Sequence, residues 1–201
     1  MGLGLDYLAY VRGELRTVIT EELTKIEKAA GLAVEALASG RTCWHADIGH
    51  MPEYEVKVGR EARPSIFKPL RPTPHDRNVR LTEVRRGDLV VLGDQFDVAE
   101  ALIDWALEAK RRGATVVGIG ASMKEHRNEI PTRHASGKSL ADVVDVFINT
   151  HAPMGDGALT EGLKTGFGAT TGILNSAIYW ALCGEIAERL AKKGVKPPQI
   201  G

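Results

Sequence analysis

The sequence predicts an α/β protein built on a doubly wound, mostly parallel sheet. Short apolar runs at residues 42–46, 89–92, 115–119 and 143–148 read as strands, and segments of helical periodicity separate most of them. Strands alternating with helices build parallel sheets. Each run also ends in polar residues: Asp47 and His50, Asp94 to Asp97, Ser122 to His126, and Asn149 to His151. In open α/β sheets ligands bind at the carboxyl ends of the strands, so one shared site is expected there.

The elements follow in order. From Leu5 to Leu37, apolar residues recur at helical spacing (Leu8, Val11, Leu15, Val18, Leu23, Ile26, Ala30, Ala33), with a break expected near Gly13 or Thr20. Ser39-Gly40 supplies the stop. Residues 51–80 hold more than half of the chain's nine prolines and read as irregular, with a short strand around 65–67. A helix is predicted to start at Asp97, which forms a capping box with Glu100 and buries Leu102, Trp105, Ala106 and Ala109. Its basic end, Lys110 to Arg112, complements the helix dipole, and Gly113 closes it. The last helix, 172–193, is apolar around most of its circumference. Such a helix is buried on several sides. A second copy of the chain is the expected source of that burial, giving a homodimer or homotetramer with the N-terminal helices in the interface.

Composition narrows the class. The 201 residues are 43% apolar and 26% charged, which is ordinary for a globular chain that buries a real core as one domain. Twenty-six basic residues balance 26 acidic ones, so no charge excess calls for a nucleic-acid or membrane partner. No basic segment leads into an apolar run at the N-terminus, and no stretch approaches 18 apolar residues. Cys43 and Cys183 read as buried free thiols, and a cytoplasmic location is expected.

Pro131-Thr132-Arg133-His134-Ala135-Ser136-Gly137-Lys138, then Ala141-Asp142 and Pro153-Met154-Gly155-Asp156, carry a resemblance. So does the turn Lys164-Thr165-Gly166 with Thr170-Thr171. Together these segments resemble the sugar isomerase (SIS) domain family, in its small phosphoheptose-isomerase-like branch of uncharacterised proteins. The resemblance covers most of the chain outside 51–80. It implies a five-stranded αβα sandwich of flavodoxin-like topology, a homo-oligomer, a site for a sugar or sugar phosphate, and no cofactor.

Two turns depart from that pattern. Where the family has a hydroxyl-rich Ser-x-Ser-Gly turn, this chain has Gly93-Asp94-Gln95-Phe96-Asp97. Where it has Gly-x-Gly-His-Ser, this chain has Asp47-Ile48-Gly49-His50-Met51. A hydroxyl donates to a phosphate dianion, whereas a carboxylate repels it by about 4 kcal/mol at ~4 Å and an effective dielectric of 20. The usual phosphate mode is therefore expected to be lost at Asp94, which would grip a neutral polyol instead. Gly49, His50, Asp94, Gln95, Ser122, Arg133, Lys164, Thr170 and Thr171 are the candidate binding residues. Phosphate would move to Ser122, the two threonines and the amides at the start of the last helix. Aldose–ketose isomerisation through an enediol needs a base and an acid. The resemblance implies a Glu and a His, and Glu161, His151 and His134 are the candidates. For His134 the competing role is to hold its own loop, and for Glu161 that of an exposed acid at a helix start. The histidines show no tight ligand spacing, so no metal is expected. A binding module that senses a sugar without turning it over is the alternative reading, and residues 51–80 are placed to cover the pocket in either case.

Overall fold

The computed structural model describes residues 2–49, 66–70, 79–126 and 128–196. His50, His75 and most of the irregular segment lie outside them.

Helix α1 spans Leu3–Glu21 and α2 spans Leu23–Ala38. The break falls at Glu22, close to the expected Thr20. Strand β1 (Cys43–Asp47) follows, then β2 (Phe67–Pro69) and β3 (Leu89–Phe96). Helix α3 (Glu100–Arg111) leads to β4 (Thr115–Ala121). A four-residue helix α4 (Leu140–Val143) precedes β5 (Val146–Asn149), and α5 (Thr171–Lys192) ends the fold. The sheet order is β2-β1-β3-β4-β5, and every pairing is parallel.

Alternation along the strands divides the core. Cys43, Leu89, Val91, Val117, Ile119, Val146 and Ile148 pack under α2 and α5 with Ala30, Ala33, Ile178 and Leu182. Trp44, Val90, Leu92 and Val116 point to the other face and meet Leu102, Ile103 and Ala106 of α3 and Leu140 and Val143 of α4. Strands buried on both faces read as continuous apolar runs, which is why the sequence exposed them. Burial pushes the Cys43 and Cys183 thiols up to about 12, with Asp88 adding to the rise at Cys43, so both are inert as nucleophiles. At the amino edge, buried Asp88 accepts from the Thr42 and Arg85 amides and the Trp44 indole at 2.9–3.0 Å, tying three segments together.

Three expectations need correction. Helix α3 starts at Glu100 with Ala99 as N-cap and no side-chain cap, so Asp97 forms no capping box. Asp97 is instead buried, and its Oδ1 accepts the Met123 amide at 3.0 Å. Its backbone accepts the Leu140 amide at 2.7 Å, stitching the end of β3 to two neighbouring turns. Second, Asp94 and Gln95 lie inside β3 rather than in a turn after it, where the pairing with β4 slips between Gly93 and Phe96. Gly120 permits this irregularity: a Cβ there would stand 3.1 Å from the Asp94 carbonyl. Third, Val143, expected to open the last strand, instead closes a short helix over Leu140–Val143, and the strand starts only at Val146. The Asp142 carboxylate takes both the amide and the hydroxyl of Ser139, at 2.8 and 3.1 Å, and turns the chain before β5 begins.

Among the described residues, no helix is long and apolar enough to cross a membrane. Helix α1 buries only Val11 and Val18, leaving Leu3, Leu5, Leu8 and Ile19 exposed.

Candidate functional site

The chain reverses direction across the sheet between β1 and β3, so the carboxyl edge there is the topological switch point. Among the described residues, two clefts open along this edge. The larger, of about 650 Å³, is lined by Ile48, Val98, Ala99, Ala101, Ile130, Pro131 and Arg133, and its walls are mainly apolar. The second, of about 550 Å³, lies at the ends of β4 and β5. Its walls carry Glu21, Glu22, Lys25, Ser122, Lys124, His126, Asn149 and His151. A sugar presents hydroxyls in several directions, and this second cleft has the donors and acceptors to meet them.

His151 follows β5 directly and holds a left-handed backbone, φ 58°. For a non-glycine residue that conformation costs about 1–2 kcal/mol, and strain of this kind clusters at functional sites. Its Nε2 stands 3.3 Å from Glu22 Oε1 and 3.8 Å from Glu21 Oε2. Its Nδ1 is 3.4 Å from the Asn149 side-chain nitrogen. Glu22 is 2% exposed, set in place by the single-residue break between α1 and α2. It takes the Lys25 ammonium at 2.8 Å and the Asn149 amide at 3.0 Å. Nearby on α1, burial raises Glu14 above the ordinary carboxylate range, while Tyr10 and the His151 ring pull it back.

Ser122, at the end of β4, donates its amide to Asn149 Oδ1 at 3.0 Å, so it belongs to the same cleft. Arg133 is exposed and lines the larger cleft. Gly49 lies in the bend two residues after β1 with φ 146°, which favours glycine. Asp94 and Gln95 are half-buried near the carboxyl end of β3, and the Asp94 carbonyl accepts from Asn175 at 3.2 Å. Glu161 and Lys164 are exposed in a small hairpin closed by the Leu159–Phe167 bridge, and neither lines the two clefts. Tyr7 of α1 clamps that hairpin, donating to the Ala169 carbonyl and packing against Phe167 and Gly168.

His134 holds its own loop. Its Nδ1 lies 2.7 Å from Ser136 Oγ and also accepts the Ser136 amide, while Nε2 faces Asp104 of α3 at 3.1 Å. Thr132 Oγ1 donates to the Lys138 carbonyl at 2.9 Å across the same loop. The Arg-His-x-Ser-Gly-Lys segment is therefore a folded latch on α3 that carries Arg133.

The anion site expected at the start of the last helix is filled by the chain itself. Asp156 Oδ1 accepts the Thr170 and Thr171 amides at 2.8 and 2.9 Å, and Oδ2 takes the Thr171 hydroxyl at 2.7 Å. Both threonines are fully buried. The carboxylate takes two of the helix-end amides that an external phosphate would otherwise use, and its charge opposes a second anion there. Sequence reasoning also missed Glu22, because Glu21-Glu22 within a helical pattern reads as a solvated face. The signal that was available is the break it occupies. Among the described residues no group of His, Cys, Asp and Glu is arranged to hold a metal ion.

No protein-family model matches the chain. Among curated proteins it is 28% identical to a UPF0309 protein of Caldanaerobacter subterraneus, covering 96% of this chain and 87% of that one. It is 29% identical to one of Geobacillus kaustophilus, with 96% and 84% covered. Among solved structures it is similar to a presumed phosphosugar isomerase involved in capsule formation from Bacteroides fragilis, with TM-score 0.60, 16% identity, and 94% and 92% of the two chains covered. A presumed sugar-phosphate isomerase from Listeria monocytogenes gives TM-score 0.55 at 14% identity, with 98% and 94% covered. At these identities the likeness is one of fold.

Proposed function

We propose that this chain, which carries the sugar isomerase fold, binds a sugar or sugar phosphate at its carboxyl edge and interconverts aldose and ketose forms. The observation that supports this most is the polar cleft in which a strained histidine faces a buried glutamate at 3.3 Å. That pairing gives an oriented acid–base group within reach of a bound sugar. The two solved proteins described as sugar-phosphate and phosphosugar isomerases support the substrate class.

His151 takes the proton from C2 of the ring-opened aldose, leaving the enediolate. Returning the proton to C1, with transfer between the two oxygens, gives the ketose. C2 is oxidised and C1 reduced within one molecule, so no external oxidant is needed. Asn149, Ser122 and Lys124 lie where they would bind the substrate's hydroxyls and oxyanion. A phosphate, where present, would meet Lys25, Lys124 or Arg133, because Asp156 fills the helix end.

Deuterium exchange tests the chemistry. In D2O, candidate aldose phosphates incubated with the protein are expected to yield ketose deuterated at C1, because the proton passes through a solvent-exchanging base. His151→Ala is expected to slow exchange by roughly 10²–10⁴-fold. A sugar that binds but never exchanges would favour the second reading, a carbohydrate-binding module. One observation supports that alternative: Glu161 stands outside both clefts and His134 is committed to its loop, leaving His151 alone among the expected catalytic candidates.

A further inference from the structure

We propose that Glu22 is a positioning residue that fixes the ring tautomer of His151 and leaves Nδ1 as its basic nitrogen. This rests on the reading of His151 as the acid–base group. The tautomer follows from a hydrogen-bond chain whose direction is set by backbone donors. The amides of Ser122 and His151 both point at one atom of the Asn149 side chain, at 3.0 and 3.1 Å. Only an amide oxygen can accept both, so that atom is Oδ1 and the Asn149 NH2 is turned toward His151. Nδ1 therefore meets a donor at 3.4 Å and carries no proton in the neutral ring. The proton sits on Nε2, which faces an acceptor, Glu22 Oε1, at 3.3 Å.

Glu22 is well placed to enforce that choice. Its carboxylate is held between the Lys25 ammonium and the Asn149 amide, inside the joint between α1 and α2. The left-handed backbone of His151 sends its own amide onto Asn149 Oδ1, so main chain and ring are fixed by the same side chain. The Nδ1 contact is the long one of the set, and a substrate hydroxyl or carbon acid would displace it at little cost. A carboxylate orienting one imidazole nitrogen so that the other acts as base is the arrangement used in hydrolytic triads. Here it is built from a helix junction and a strand end.

Nitrogen-15 NMR of the ligand-free protein in alkaline buffer reads the tautomer directly. The wild type is expected to show His151 at least about tenfold in the Nε2–H form. Glu22→Gln keeps an oxygen for the Asn149 amide but loses the charge, and is expected to reduce that preference several-fold. Asn149→Asp places an acceptor opposite Nδ1 and is expected to invert the preference, which tests the same chain should Glu22→Gln not fold. An Nδ1–H ring in the wild type, or a ratio unmoved by either change, overturns the proposal. In any active assay, Glu22→Gln is expected to lower kcat with KM little changed. The expected tautomer without deuterium exchange into any sugar would sink the isomerase reading and leave the Glu22–His151 coupling standing.

Discussion

Replacing Asp156 with alanine is expected to destabilise the protein by about 3 kcal/mol, a fall in Tm of roughly 6–12 °C. The carboxylate is nearly buried and receives two backbone amides and the Thr171 hydroxyl at the first turn of α5. Removing it strands those donors where water reaches them poorly, at about 1–3 kcal/mol for each group left unpaired. A second, smaller cost arises because Asp156 sits at φ 55°, where alanine is strained and asparagine is tolerated. Asp156→Asn keeps an acceptor and the backbone preference, so it should lose about half as much. Asp156→Gly relieves the backbone cost and should lie about 1 kcal/mol above Asp156→Ala. Thermal unfolding of the three variants checks the order. An alanine variant within about 2 °C of wild type would show that the helix end finds its partners elsewhere.

The second large effect concerns assembly. Helix α1 is 19 residues long yet buries only two of them, while Leu8 and Ile19 are 63% and 62% exposed. Ile173 of α5 and Phe167 of the hairpin clamped to α1 are also exposed. Exposed apolar residues such as these suit an interface, and a symmetric dimer is the expected outcome. Light scattering at micromolar concentration should give twice the chain mass. The double change Leu8→Glu and Ile19→Glu should shift the population to monomer. A wild type that is monomeric under the same conditions would remove the dimer from the account.

The strands were legible because burial on both faces leaves uninterrupted apolar runs, and the long helices because their core faces repeat at helical spacing. The start of α3 was not, since Asp97 with Glu100 fits a cap equally well on paper. Only the third dimension shows that carboxylate turned to the Met123 amide. The same limit applies to Asp156. Its partners stand 14 and 15 residues away, so Thr170 and Thr171 looked available for a ligand when their donors were already committed to the chain. His151 was legible as a residue at a strand end. Glu22 was not, because its partner lies 129 residues distant and its role depends on a helix break one residue long. Asp94 was legible as a departure from the family's hydroxyl turn, but its place inside a slipped strand was not.

A sugar derivative is expected to bind beside His151, and one measurement locates it. Backbone amide shifts recorded during titration with a panel of aldoses, ketoses, their phosphate esters and inorganic phosphate would show which surface responds. At least one sugar or sugar ester is expected to give saturable shifts at residues 122–126 and 149–154, with smaller ones at Asp94 and Gln95, while inorganic phosphate leaves Thr170 and Thr171 unmoved. Saturable shifts confined to the 159–168 hairpin or to Thr170 and Thr171, or no response to any sugar of the panel, would contradict it.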